Sequence, residues 1–503
     1  MVRYTLSTTF IAILAALTGT ISQKALAQEN ENDLTINQAI ELMLYNNSII
    51  QQAQKGVEIA QAEKQKLNST WYPLITAGGT YMHFSNDIEA KESVKELLEP
   101  FKEALPEMDA IAQQLGPAIS QLFPGADIAG IASKLAGVTF SFPLLDKNVA
   151  TIDGSVVWTL FAGGKRVYAN RIGKSLVMSS VQIQDAVEQS QTMLLIERYY
   201  MCKLAKKIVG VQQQNFASMQ KFYNNAKKMM DAGMINKAEM LVAKVACQEA
   251  ERELESALNN DTTTTQALIA MLYSNSEKET MGDTYYNMEC SSPFFICSAI
   301  PSKEQFKMLV DENNPQLQLV GHQKEIVQNR FKIARSGYMP DIALFGKQNI
   351  YSHNIPRNLS PRSVVGAGFV WNIFDGLHRE KSMQASKKEE EMLDLSYEEL
   401  QKELHLLSDK LYSQLSDAKN NLQTINASIE LAGELVKIQQ KSFNEGMATS
   451  LDVINAHTTF AKTNIAAAMA YFQYDIALSA LLAISGNSGK FLEYMENAQM
   501  VLE

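Results

Sequence analysis

Trp158-Thr159-Leu160-Phe161-Ala162-Gly163-Gly164-Lys165-Arg166 returns as Trp371-Asn372-Ile373-Phe374-Asp375-Gly376-Leu377-His378-Arg379, a shift of 213 residues (371 − 158). The same shift carries Ala232-Gly233-Met234 onto Glu445-Gly446-Met447, so the stretch between the two anchors has equal length in both copies. Upstream, Asn46-Asn47 matches Asn313-Asn314 and Trp71-Tyr72-Pro73 matches Tyr338-Met339-Pro340, both at a shift of 267 (340 − 73). The excess of 54 residues (267 − 213) is an insertion in the first copy, between Pro73 and Trp158. A duplicated unit of this length predicts two pseudo-equivalent halves.

Reading outward from the anchors, the period changes twice. Val365, Ala367, Phe369, Trp371 and Ile373 alternate with small or polar residues, as do Ile152, Gly154, Val156, Trp158 and Leu160. These are period-2 strands of a length that fits a membrane-spanning β-strand or a soluble sandwich. Leu74 to Phe84 and Asp341 to Tyr351 are the expected partner strands, with Trp and Tyr near strand ends suiting an interfacial belt. Before the strands, one helix per copy is expected, Ile36 to about Ser69 and Ser302 to about Ser336, stopped by Pro73 and Pro340. After them, a helix runs from Lys165 to Ala232 without a proline and breaks at Gly233, as its copy breaks at Gly446. A return helix follows in each copy, about Lys237 to Leu272 and Ser450 to Ile484, with Ser450 as the expected cap. The fold class is α+β, mainly α.

The N-terminus reads as a signal peptide over residues 1–27: Arg3, an apolar run from Phe10 to Leu17, and Ala25-Leu26-Ala27 before Gln28. No later stretch reads as a transmembrane helix. A formal net charge of −10 argues against nucleic acid as a partner. No nucleophile, base and acid arrangement, phosphate loop or metal-ligand spacing appears, so neither an enzyme nor a cofactor is expected. Of four cysteines, Cys290 and Cys297 lie close together in an irregular segment and are a possible disulfide; Cys202 and Cys247 read as small buried helix residues. Four strands cannot close a barrel, and an open sheet in lipid leaves unpaired backbone groups at its edges. If the strands span a membrane, other chains complete the barrel.

The order, duplication and spacing of these motifs resemble the TolC family of outer-membrane efflux channels over nearly the whole mature chain. The residues that carry the resemblance are Asn46-Asn47, Asn313-Asn314-Pro315, the proline before each first strand, the Trp-to-Gly turn into each long helix, and Glu445 to Ile454. The resemblance implies a homotrimer in the outer membrane of a Gram-negative bacterium. Its 12-stranded β-barrel would be continued by a periplasmic α-barrel that docks on a periplasmic adaptor and an inner-membrane transporter, and the duct would export small toxic molecules or proteins. Repeat one would span 28–273, a connector 274–301, repeat two 302–488 and a tail 489–503. At the periplasmic tip the resemblance implies a gate at Asp452, with Glu239 in the matching place, Asn455 where some members carry a second aspartate, and Phe443 where they carry a tyrosine. Gly233, Met234, Gly446, Met447 and Leu451 would form the docking tips, and Trp158 and Trp371 would belong to the membrane strands. The insertion, within residues 85–150, is either an external lid or a surface loop. The competing reading of the chain is a soluble periplasmic coiled-coil scaffold or adhesin stalk, for which the paired strand blocks have no use.

Overall fold

The computed structural model describes residues 33–85, 148–273, 288–297, 299–354, 361–498 and 500–502. The signal segment, most of the insertion and the first part of the connector lie outside the described residues. The first copy forms β1 Asp33–Leu34, α1 Ile36–Asn46, α2 Ser48–Asn68, β2 Leu74–His83, β3 Asn148–Ala162, α3 Lys165–Asp231 and α4 Lys237–Leu272. The connector holds β4 Glu289–Cys290 and β5 Phe294–Ile296. The second copy forms α5 Lys303–Asn313, α6 Pro315–Ser336, β6 Asp341–His353, β7 Ser363–Val370, α7 His378–Asn444 and α8 Ser450–Ile484, followed by α9 Phe491–Glu496 and β8 Met500–Leu502. The chain divides into two compact units. A strand unit takes Ala53–Gln184 and Pro315–Gln401; a hairpin unit takes Met1–Gln52, Asp185–Asn314 and Lys402–Glu503.

The opening helix of each copy is two helices, not one. Asn47 and Asn314 sit at ψ 116° and 121°, extended backbone that ends α1 and α5. The Asn47 carboxamide oxygen then accepts the N–H of Ile49 at 2.8 Å and of Ile50 at 3.3 Å, restarting the helix as α2. In the second copy Pro315 disfavours a helical residue before it. The start of each pair is a capping box, Thr35 with Gln38 and Ser302 with Gln305. Asn46 Nδ2 donates to the Leu272 carbonyl at 3.1 Å and Asn314 Nδ2 to the Ile484 carbonyl at 2.8 Å, so each Asn-Asn motif closes the C-terminus of a return helix.

In the strand unit the four strands form one antiparallel sheet in the order β2-β3-β6-β7. The strand-to-helix handover is built the same way twice. Trp158 Nε1 donates to the Trp71 carbonyl and Trp371 Nε1 to the Tyr338 carbonyl, each at 3.0 Å. The Arg166 guanidinium lies 4.7 Å from the Trp71 ring centre and that of Arg379 lies 4.4 Å from the Tyr338 ring centre. Arg166 donates to the carbonyls of Thr70 and Thr159; Arg379 donates to those of Gly337, Asn372 and Ile373. Strand β7 ends at Val370, short of Trp371 and Ile373, because its neighbour β6 begins at Asp341, opposite Val370. On the other copy β3 continues to Ala162, paired with β6 to its end.

Helices α3 and α7 are 67 residues each, as the equal spacing of the anchors requires. In the hairpin unit, Tyr199 on α3 donates to the Leu34 carbonyl at 2.7 Å and receives the Ser292 N–H at 2.9 Å. Tyr474 on α8 does similar work at Cys297, whose N–H it accepts at 3.1 Å. Lys206 and Lys419, equivalent at the 213 shift, each donate to a connector carbonyl, Met288 and Cys297. Tyr200, Phe294, Phe295 and Phe491 pack with ring centres 5.3–6.0 Å apart. Helix α8 is long and apolar enough to cross a membrane by composition, with a best window of mean hydropathy 1.4, contrary to the sequence expectation. Most of that window is buried among Tyr471, Tyr474, Leu478, Leu481 and Leu482, so its apolarity is that of a core helix. Its cap is Thr449, with Ser450 as the first helical residue.

Gly163 turns β3 into α3 at φ +58°, where a Cβ would lie 2.4 Å from the Ser336 carbonyl oxygen. Gly376 has φ +71° and nothing within 4 Å of its Cβ position. Both Gly→Ala variants are strained, by about 1–3 kcal/mol for the backbone alone. Thermal melts of the purified protein are expected to fall for both and clearly further for Gly163→Ala.

Candidate functional site

Two places stand out, one in each unit. In the strand unit, register sorts the sheet into two faces. On one, Ile75, Val156, Gly346 and Val365 form a row, followed by Trp158, Leu344 and Ala367, then Ile342 and Phe369. These rows are apolar, with Gln348 and Ser363 entering only at the next one, yet Ile75 is 72 %, Val365 86 % and Phe369 72 % exposed. So large an uncovered apolar surface has water as a poor solvent. The opposite face carries Leu74, Val157 and Phe345 at one end, then Thr76, Ser155, Asp153 and Lys347. Thr76 and Ser155 share a hydrogen bond of 2.6 Å, and Lys347 pairs with Asp153 at 2.9 Å. An apolar face backed by a polar one is the pattern of a transmembrane barrel wall. Among the described residues, the outer edges of β2 and β7 pair with no strand of this chain.

In the hairpin unit, the two helix turns are the same structure. Gly233 N–H donates to Met230 and Met234 N–H to Met229; Gly446 N–H donates to Phe443 and Met447 N–H to Ser442. Both glycines have φ +73°, the left-handed residue that this type of helix ending needs. Met234, Met447 and Leu451 stand exposed beside them, at 65 %, 72 % and 57 %. The return helices start with acids in the first turn, Glu239 capped through Asn236 and Asp452 through Thr449. The Asp452 carboxylate accepts the Thr449 N–H at 2.9 Å and its hydroxyl at 2.7 Å, and these bonds hold it below the usual carboxylate range. Ser450 Oγ meets Glu239 Oε2 at 3.4 Å, so the two turns touch. Asp452 and Asn455 are both exposed.

Two expected roles change. Phe443 is 2 % exposed and packs edge-on to Phe222, ring centres 5.0 Å apart, with Ala226, Ala243 and Val453 around them. It fills the small core beneath the tips. Cys290 and Cys297 are not joined; both are free and buried. Their strands aim them apart, Cys290 toward Cys202 on α3 and Cys297 toward Tyr474 and the Tyr494 carbonyl. The residues that sequence reading passed over are Arg166, Arg379, Trp71, Tyr338 and Thr449. The arginines were visible inside the repeated motif as identical residues at the same shift, but nothing in their spacing says which carbonyls they take.

Phe443→Ala is expected to cost about 3–5 kcal/mol at the tip core. Limited proteolysis should then cut near residues 233 and 446 well before the rest of the chain; wild-type resistance there would contradict this packing role.

The outer membrane efflux protein family model matches residues 309–487. No curated protein matches the chain. Among solved structures, a membrane protein from Pseudomonas aeruginosa superposes with a TM-score of 0.69 at 14 % identity, over 90 % of each chain. The outer membrane protein VceC from Vibrio cholerae gives 0.67 at 13 % identity, over 90 % of this chain and 96 % of its own. The outer membrane channel CmeC of Campylobacter jejuni gives 0.65 at 13 % identity, over 94 % and 95 %.

Proposed function

We propose that this chain, an outer membrane efflux protein by family and by fold, serves as its exit duct in the form of a homotrimer docked on a periplasmic adaptor and an inner-membrane pump. The observation that carries the assembly is the sheet. Among the described residues its apolar face is uncovered and both its edges are open. In lipid each unpaired edge group costs several kcal/mol, so the edges must meet those of other chains. Three chains bring 12 strands, an even number within the range of known barrels. The polar face, with Thr76, Ser155, Asp153 and Lys347, then lines water. The scaffold reading offers no account of a large apolar sheet face left exposed.

At the tips, three copies of Asp452 would ring the entrance and attract cations by focusing potential. Asp452→Asn keeps the size and much of the capping while removing the charge. In planar bilayers it is expected to lower cation selectivity; an unchanged selectivity would place the filter elsewhere. The pH dependence follows from the lowered carboxyl value. The charge persists as pH falls through the range where a free aspartate is protonated, and selectivity is lost only as pH falls through the lower, folded value. Thr449→Ala removes one donor and should move that loss to higher pH.

Met234, Met447 and Leu451 are the exposed apolar groups available to an adaptor. Met234→Glu with Met447→Glu is expected to abolish efflux in cells while single-channel conductance stays at the wild-type level. Loss of conductance as well would mean that the tips are structural.

A further inference from the structure

Helix α3 and strand β4 bring together two thiols that lie 88 residues apart in the chain (290 − 202). Cys202 is 1 % and Cys290 7 % exposed; both are free thiols, and the two lie against each other. The contact is held by its surroundings. Ser292 N–H donates to Tyr199 Oη at 2.9 Å, Lys203 Nζ donates to the Cys290 carbonyl at 3.4 Å, and Lys206 Nζ donates to the Met288 carbonyl. Connector residues 288–292 are thus laid along residues 199–206 of α3. Helix α4 closes the third side, with Thr265 Oγ1 3.3 Å from Cys202 Sγ.

We propose that Cys202 and Cys290 form a disulfide in the exported protein, clasping the base of the first helical hairpin to the connector. The ties between residues 199–206 and 288–292 bring the two elements together, the condition for neighbouring thiols to close to the bonded distance of about 2.05 Å. On the proposed function, on which this inference rests, the hairpins face the periplasm, a compartment where disulfides form and persist. The second copy meets the same packing need differently: at the 213 shift, Cys202 and Thr265 correspond to Leu415 and Leu478, both buried. The first copy departs from this apolar solution, and does so with a thiol whose neighbour is a second thiol.

The chemistry is a two-electron oxidation. One thiolate attacks a disulfide-carrying thiol oxidase of the periplasm, expelling one of its sulfurs as thiolate and forming a mixed disulfide. The second cysteine, as thiolate, attacks that mixed disulfide at the chain's own sulfur. Two S–H bonds are lost, one S–S bond forms, and two electrons and two protons leave with the reduced oxidase. The bond closes as the hairpin folds onto the connector, before both sulfurs are sealed from the oxidase.

The test is thiol counting on the full-length protein, exported and purified from outer membranes in detergent. It is unfolded in iodoacetamide with and without prior reduction, then digested and weighed. The expected result is two alkylated cysteines of the four without reductant and four after it, with a peptide pair joining Cys202 to Cys290 that vanishes on reduction. The same pair should persist in a Cys247→Ser, Cys297→Ser variant. Four alkylated cysteines without reductant, or a linkage of Cys290 to Cys297 or Cys247, would overturn the proposal.

Discussion

Everything in the strand unit depends on how a period-2 strand is handed to a helix of period 3.6. At that point the chain leaves the sheet ladder, and the helix has not yet begun to bond its own carbonyls. Arg166 and Arg379 resolve the problem identically. Each guanidinium lies over an aromatic ring and gathers the stranded carbonyls on both sides of the junction. Each is almost fully buried, 7 % exposed, and Arg379 also pairs with Asp375 at 2.9 Å. A planar cation with five donors is the side chain suited to this task; a lysine in the same place offers three donors on one point. The tryptophans add a second tie, from the strand back to the turn that follows the first helix pair. Both junctions are thus closed by the same two side-chain types, an arginine on the helix and a tryptophan on the strand end.

Much of this was legible because the gene carries it twice. The 67-residue helices, the turn at Gly233 and Gly446, and the four strands follow from anchors that keep a constant shift. What the repeat hid was local chemistry. The apolar pattern runs straight through Asn47, whose break is visible only once its side chain is seen to cap the next turn. Thr449 and Ser450 are both good caps in sequence, and only the carboxylate of Asp452 folding back on Thr449 distinguishes them. Phe443 reads as a tip aromatic, yet a partner aromatic at Phe222, far away in the chain, draws it into a core. Proximity in sequence suggested Cys290 with Cys297, but strand direction separates them and brings Cys202 in from another element.

The two copies have kept their backbone and let their side chains diverge. The helix turns match in hydrogen bonding and in φ, while the first-turn acids differ, Glu239 against Asp452. Tyr199 and Tyr474 both hold the connector, but one takes the strand beside β1 and the other the strand beside β8. Duplication thus supplied the frame, and the connector, which has no repeat of its own, is where the halves became unlike.

If other copies close the edges of β2 and β7, which are open among the described residues, those edges also set the kinetics of assembly. A strand edge that only another copy can satisfy makes membrane insertion a many-body event, whose rate climbs with a power of subunit concentration greater than one. Halving the supply of chains therefore removes more than half of the finished pores formed in a given time. The unassembled chains are left with two hungry edges and an apolar sheet, the state most prone to pair with a wrong neighbour.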